Sequence, residues 1–171
     1  MITRSLAALL LMSGCGAILP GVAARLSGLS PLTADPAGMA IAVDLPEGLG
    51  LRPGSAVLGF SVTREDEVAA REFILTGGAA EGFSVAAGDL EPFREVQALA
   101  QAWKAADPEG TTGSLSLTFG PCLTGALAPE ARVSARIRLE QDEPFLPLLR
   151  PQRVSEFAEA LALDTIPPCG D

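Results

Sequence analysis

The sequence predicts an α+β fold: a mainly antiparallel β-sheet with one amphipathic helix packed on it and a short C-terminal helix. Three observations carry the prediction. Several segments between residues 39 and 149 alternate apolar and polar side chains with period two, the mark of strands with one buried face. Residues 90–106 instead repeat Phe93, Val96, Leu99, Ala100 and Trp103 at three- and four-residue spacing, the mark of a helix with one apolar stripe. The connections are short and rich in Gly, Pro and charge, which suits hairpins rather than long crossovers. An immunoglobulin-like β-sandwich is the alternative. In that fold the opposite sheet occupies the inner face that the helix stripe needs.

The elements follow in order. After Asp35-Pro36, Met39, Ile41, Val43 and Leu45 alternate as a first strand, and Pro46 to Gly54 reads as a loop ending in the turn pair Pro53-Gly54. Leu58, Phe60 and Val62 form one face of the next strand, opposite Gly59, Ser61 and Thr63. A charged turn, Arg64-Glu65-Asp66-Glu67, leads to a strand from Arg71 to Thr76, closed by Gly77-Gly78; Phe83 and Val85 mark a short one. Asp89 stands at the helix N-cap position, and Asp107-Pro108-Glu109-Gly110 ends the helix. Leu115, Leu117 and Phe119, then Val133, Ala135, Ile137 and Leu139, are the inward faces of two further strands. Phe145 to Leu149 contains Pro147 and therefore suits an edge strand. Val154, Phe157, Ala158 and Leu161 are spaced for a short helix before Cys169.

Composition limits the chemistry. A chain of 171 residues is long enough for one domain with a real core. It contains no His, which removes Ser-His-Asp and Cys-His nucleophile systems and every His-ligated metal site. A net charge of -9 argues against nucleic acid, whose binding needs a basic footprint. Gly48 to Gly54 superficially resembles a phosphate loop, yet it lacks the dinucleotide spacing and runs into a strand rather than a helix. The acidic clusters Glu65-Asp66-Glu67 and Glu140, Asp142, Glu143 lack the twelve-residue Ca²⁺ loop and read as solvated turns. No catalytic residue, metal site or cofactor is expected, and the reading leans away from an enzyme.

The first residues carry an address. Arg4 is followed by the short apolar run Leu6 to Met12, which as a helix spans about 10 Å, far less than a bilayer core. The run Leu11-Met12-Ser13-Gly14-Cys15 resembles the lipobox of bacterial lipoproteins. The resemblance implies a signal peptide over residues 1–14, cleavage before Cys15 and lipidation of that Cys, so that the membrane is a partner through the anchor. It places the protein on the periplasmic side of the outer or inner membrane of a Gram-negative bacterium. The alternative is a soluble periplasmic protein cut near Ala24, after Val22-Ala23-Ala24. Residues 15–38 then form an anchor and apolar tether, with Ile18, Leu19, Val22, Leu26 and Leu29 at helical spacing, and residues 39–171 one small globular domain.

Export also interprets the remaining cysteines. Cys122 and Cys169 are the two left once Cys15 is acylated or removed, and in an oxidising compartment they read as one disulfide. It would tie the tail to the end of the Leu115 to Phe119 strand. Two features suggest a partner surface. Arg132, Arg136 and Arg138 share one strand face, where they either pair with an acid such as Glu72 or receive a carboxylate or phosphate. Phe145 and Leu148 belong to an apolar run that is either covered within the domain or docks an envelope protein. The expected function is non-enzymatic binding or scaffolding in the cell envelope. A carboxylate-dependent hydrolase of an envelope polymer is the alternative.

Overall fold

The computed structural model describes residues 33–157 and 166–170. Cys15 with its lipobox, the cleavage position near Ala24, most of the tether and residues 158–165 lie outside the described residues.

The fold is α+β, and its frame is one seven-stranded antiparallel sheet. In chain order the strands are β1 (Ala40–Asp44), β2 (Leu49–Leu51), β3 (Val57–Arg64), β4 (Glu67–Gly78), β5 (Gly82–Val85), β6 (Thr111–Thr118), β7 (Pro121–Leu123), β8 (Arg132–Arg138) and β9 (Leu146–Arg153). The sheet runs β6-β3-β4-β5-β1-β8-β9, while β2 and β7 form a separate pair. This continuous hydrogen-bonded order replaces the alternative of a two-sheet sandwich.

Strand β4 joins the two halves of the sheet. Residues 67–74 pair with β3, and residues 75–78 pair on the other side with β5. Gly77 sits in the second stretch with φ 115°, a conformation only Gly adopts without strain, and a Cβ there would collide with the Gly82 carbonyl. The sheet curls so that its two ends face each other: Leu117 and Phe119 pack against Ile41, Val43, Ile137 and Leu139 of the far half.

The helix α1 (Leu90–Ala106) has the bounds its apolar spacing predicts, and it lies on β3, β4 and β6. Phe93 is fully buried, its ring 5.5 Å from Phe60 and 5.0 Å from Phe73, at the centre of a core completed by Val62, Val96 and Ala100. Asp89 occupies the N-cap position but makes no side-chain capping bond, because a 3-10 turn over Ala87–Asp89 leads into the helix. Two stripe members differ from expectation. Leu99 is 40% exposed, on the helix flank it shares with Glu95. Trp103 is half-buried, with the Arg64 guanidinium 4.9 Å from its ring. Residues before β1 also rest on the helix: Gln97 Nε2 donates to the Ala34 carbonyl at 2.8 Å.

The stretch 46–54 is more than a loop, since it holds β2, which pairs with β7 in the register Gly50 opposite Cys122. Cys122 and Cys169 are joined, Sγ to Sγ 1.98 Å, with their Cα atoms 4.8 Å apart. The tail is therefore tied to β7 rather than to the end of β6. The Leu123 N–H donates to the Pro167 carbonyl and the Cys169 N–H to the Leu123 carbonyl, both at 2.8 Å, so the tail extends the small sheet. A Cβ at position 50 would lie 3.0 Å from Cys169 Sγ, which explains the Gly there. Of the expected C-terminal helix, Val154–Phe157 form a 3-10 turn, while Ala158 and Leu161 lie outside the described residues.

Candidate functional site

Curling the sheet brings apolar faces together without filling the space between them. On β1, Ile41 and Val43 point inward; on β8, Val133, Ala135 and Ile137 do so, with Leu139 just beyond the strand. Alternation puts these on one face, and the structure adds what they face: Leu115 and Leu117 of β6, then Phe119. Two cavities result. One, of about 220 Å³, lies between Val43, Ala135, Leu149 and the small-sheet residues Leu49, Leu51 and Pro121. The other, of about 310 Å³, lies between Ile41, Ile137, Leu148 and Leu58, Leu117.

Neighbouring residues of the same strands line both cavities, which therefore lie side by side along β8. From Val133 to Leu139 the shared face is about 20 Å long at roughly 3.3 Å per residue. Among the described residues, no charged side chain lines either cavity, and Ser116 is the one hydroxyl-bearing residue. Such a trough can shelter an apolar chain, each buried methylene of which contributes about 0.8 kcal/mol.

The opposite face of β8 carries the arginines. Arg136 forks onto Asp44 of β1, Nη2 to Oδ1 at 2.8 Å and Nε to Oδ2 at 3.1 Å, and Ser134 Oγ donates to Oδ2 at 2.8 Å. The Arg136 hydrogen bond, then that of Ser134, hold the Asp44 carboxyl below the usual carboxylate range. The expected acid, Glu72, is not the partner: β4 is not adjacent to β8, and Glu72 stands opposite Gly59. Asp44 stands opposite Ser134, diagonal to Arg136, through a pairing that spans most of the chain.

The predicted partner residues divide between the two faces. Arg136 and Arg138 lie 5.7 and 5.4 Å from the centre of the Phe145 ring, a compact cation-aromatic group. Arg132 stands apart, its Nη1 donating to the Pro151 carbonyl at 3.2 Å. Leu148 belongs to the other side, half-buried in the trough wall. β9 is an edge strand, as Pro147 indicates, and a register shift in its pairing with β8 lets both Leu148 and Leu149 line the trough. Among the described residues, no three His, Cys, Asp or Glu side chains are placed to hold a metal ion. No described helix is long and apolar enough to cross a membrane. Comparison with protein-family models, curated proteins and solved structures found no match.

Proposed function

We propose that this is an exported lipoprotein of the cell envelope, anchored through Cys15, whose domain works by binding rather than catalysis and shelters an apolar chain in the trough. The observation that carries the reading is the lining: two adjoining cavities of about 220 and 310 Å³, walled mainly by aliphatic and aromatic side chains, with no carboxylate among the described residues of the lining. Ligand sites are concave, mainly apolar spaces of about 300–1,000 Å³, and the larger cavity, of about 310 Å³, reaches the lower end of that range. An envelope is rich in acyl chains, and a trough about 20 Å long, at roughly 3.3 Å per residue, accommodates one chain of a bilayer leaflet. The lipobox and the Cys122–Cys169 bridge suit the same compartment.

Two measurements test the two halves of the reading. Cys15→Ser should leave an uncleaved precursor that incorporates no labelled fatty acid; unchanged processing would refute the anchor. Ala135→Trp should fill the smaller cavity and weaken binding of a fluorescent fatty acid at least about tenfold, which is about 1.4 kcal/mol. Undiminished probe binding by a folded Ala135→Trp variant would refute the trough as the site.

A further inference from the structure

We infer that two copies of this chain associate through the open edge of β4, continuing the β6-β3-β4 half-sheet across a two-fold axis. Residues 67–74 of β4 have β3 on one side, while β5 takes up the other side only from Leu75 onward. The Leu75 N–H donates toward β3, to the Ala56 carbonyl. Alternation along an antiparallel ladder then turns the peptide groups of Val68, Ala70 and Glu72 away from β3, toward the open side. The exposed large apolar residues among those described are Val68 at 66%, Ile74 at 59% and Leu99 at 40%, and all three flank this edge. Leu99 and Glu95 of α1 form the far bank of a groove of about 390 Å³ beside Val68 to Arg71.

Natural proteins blunt open edges with proline, charge or cover. The terminal strand β9 does so with Pro147 and Pro151, whereas Val68-Ala69-Ala70 has neither proline nor charge. The flanking charges select the occupant. Glu67-Val68-Ala69-Ala70-Arg71 is self-complementary when two copies run antiparallel about Ala69, since Glu67 of each copy then faces Arg71 of the other. Both side chains lie on the helix-covered face. Glu67 already accepts from Arg64 at 2.5 Å, and Arg71 lies 3.6 Å from Glu95, so pairing makes a row of alternating charge at each end. Centring instead on Arg71 would oppose like charges, which is destabilising. Centring on Ala70 would set Glu72 against Val68. The Ala69 register also uses Val68 and Ala70 as the hydrogen-bonded pair. The contact is isologous and closes at two copies.

The full chain carrying Cys15→Ser, in mild detergent, has no thiol outside the Cys122–Cys169 pair and suits sedimentation equilibrium and crosslinking. A dimer is expected. Val68→Lys and Ala70→Pro should each weaken it at least about tenfold, and Ala70→Pro removes only an outward N–H, so no internal bond is lost. Arg71→Glu should weaken the dimer and the double swap Glu67→Arg, Arg71→Glu should restore it. In the proposed register Ala69→Cys faces itself as a non-hydrogen-bonded pair with Cα atoms about 4.5 Å apart, within disulfide range, so it should yield a covalent dimer under mild oxidation and Arg71→Cys should not. A chain that remains monomeric, or a dimer indifferent to the β4 substitutions, would overturn the inference. A dimer crosslinked by Arg71→Cys and not by Ala69→Cys would overturn the register.

Discussion

Removing the disulfide tests both the stability and the trough. Replacing Cys122 and Cys169 with Ala opens a loop whose ends are 47 positions apart. On the chain-entropy model such a closure is worth about 4 kcal/mol, because the unfolded chain regains the freedom the bridge denied it. The tail is also held by two backbone bonds to Leu123, each worth about 1 kcal/mol net, and these weaken once the tail is released. Cys122 is buried, so losing its sulfur adds a small packing cost. A total of about 4–6 kcal/mol is expected from urea unfolding of the variant against the oxidised protein. The local consequence follows from β7, which pairs with the β2 strand whose Leu49 and Leu51 line the smaller cavity. Fatty-acid probe binding should therefore weaken in the variant while it remains folded. The Leu123 amide should exchange faster, with the amides of α1 keeping their relative protection. A stability loss below about 1 kcal/mol would refute the loop argument, and unchanged probe affinity would refute the dependence of the trough wall on the bridge.

Phe93→Ala should cost about 3–5 kcal/mol in urea unfolding, because it empties the contact between α1 and the Phe60 and Phe73 rings. Leu148→Asp, which places a carboxylate in the apolar trough wall, should cost about 2–4 kcal/mol, and an unchanged melting temperature would show that Leu148 does not face inward. Asp44 has a lowered carboxyl pKa, so its stabilisation is present above the unfolded value near 3.8 and is lost as pH falls through the lower folded one. Asp44→Asn should thus destabilise by only about 0.5 kcal/mol at neutral pH, the pair being half-exposed, with the difference vanishing in acid. Gly77→Ala should cost about 1–3 kcal/mol through its positive φ and the Gly82 carbonyl; equal stability would show that β4 does not bend there.

Much of the fold was legible because period-two alternation reports burial directly. Ile41 and Val43, Leu58 to Val62, and Ile137 with Leu139 all face inward as their spacing requires. The helix stood out for the same reason, since no strand would bury Phe93, Val96 and Ala100 together. Three-residue strands carry too little pattern, which is why β2 vanished into a Gly-rich loop and β7 was missed. The start of β4 was hidden for a physical reason: Val68, Ala69 and Ala70 do not alternate, and an open edge with one exposed face does not demand that they should. The arginine row was visible, but its partner was not, because the ladder placing Asp44 beside Arg136 depends on pairing distant segments. Alternation likewise tells which side of a strand is apolar. It cannot tell that the inward sides of β6 and β8 meet, with Leu117 packed against the Ile41 and Ile137 cluster and cavities left beside that contact.

The two surfaces argued for binding are both built on the seven-stranded sheet. β4 is 12 residues long; residues 67–74 pair with β3 on one side, and on the other side only residues 75–78 have a partner, β5. Had β5 run beside the whole strand, the edge at Val68 to Glu72 would be closed. β5 instead starts pairing only at Leu75, and beyond it β1, β8 and β9 follow in the sheet, with Ile41 and Ile137 packed against Leu117 of β6. The same offset leaves the first part of β4 without a neighbour on that side. The helix completes both arrangements from the concave face, since Phe93, Val96 and Ala100 fill the near end of the curl and Leu99 and Glu95 border the open edge. The two trough cavities and the groove at the open edge of β4 share no lining residue. A second copy joined at Ala69 would add its strand beside the near half-sheet, away from the β1, β8 and β9 wall of the trough.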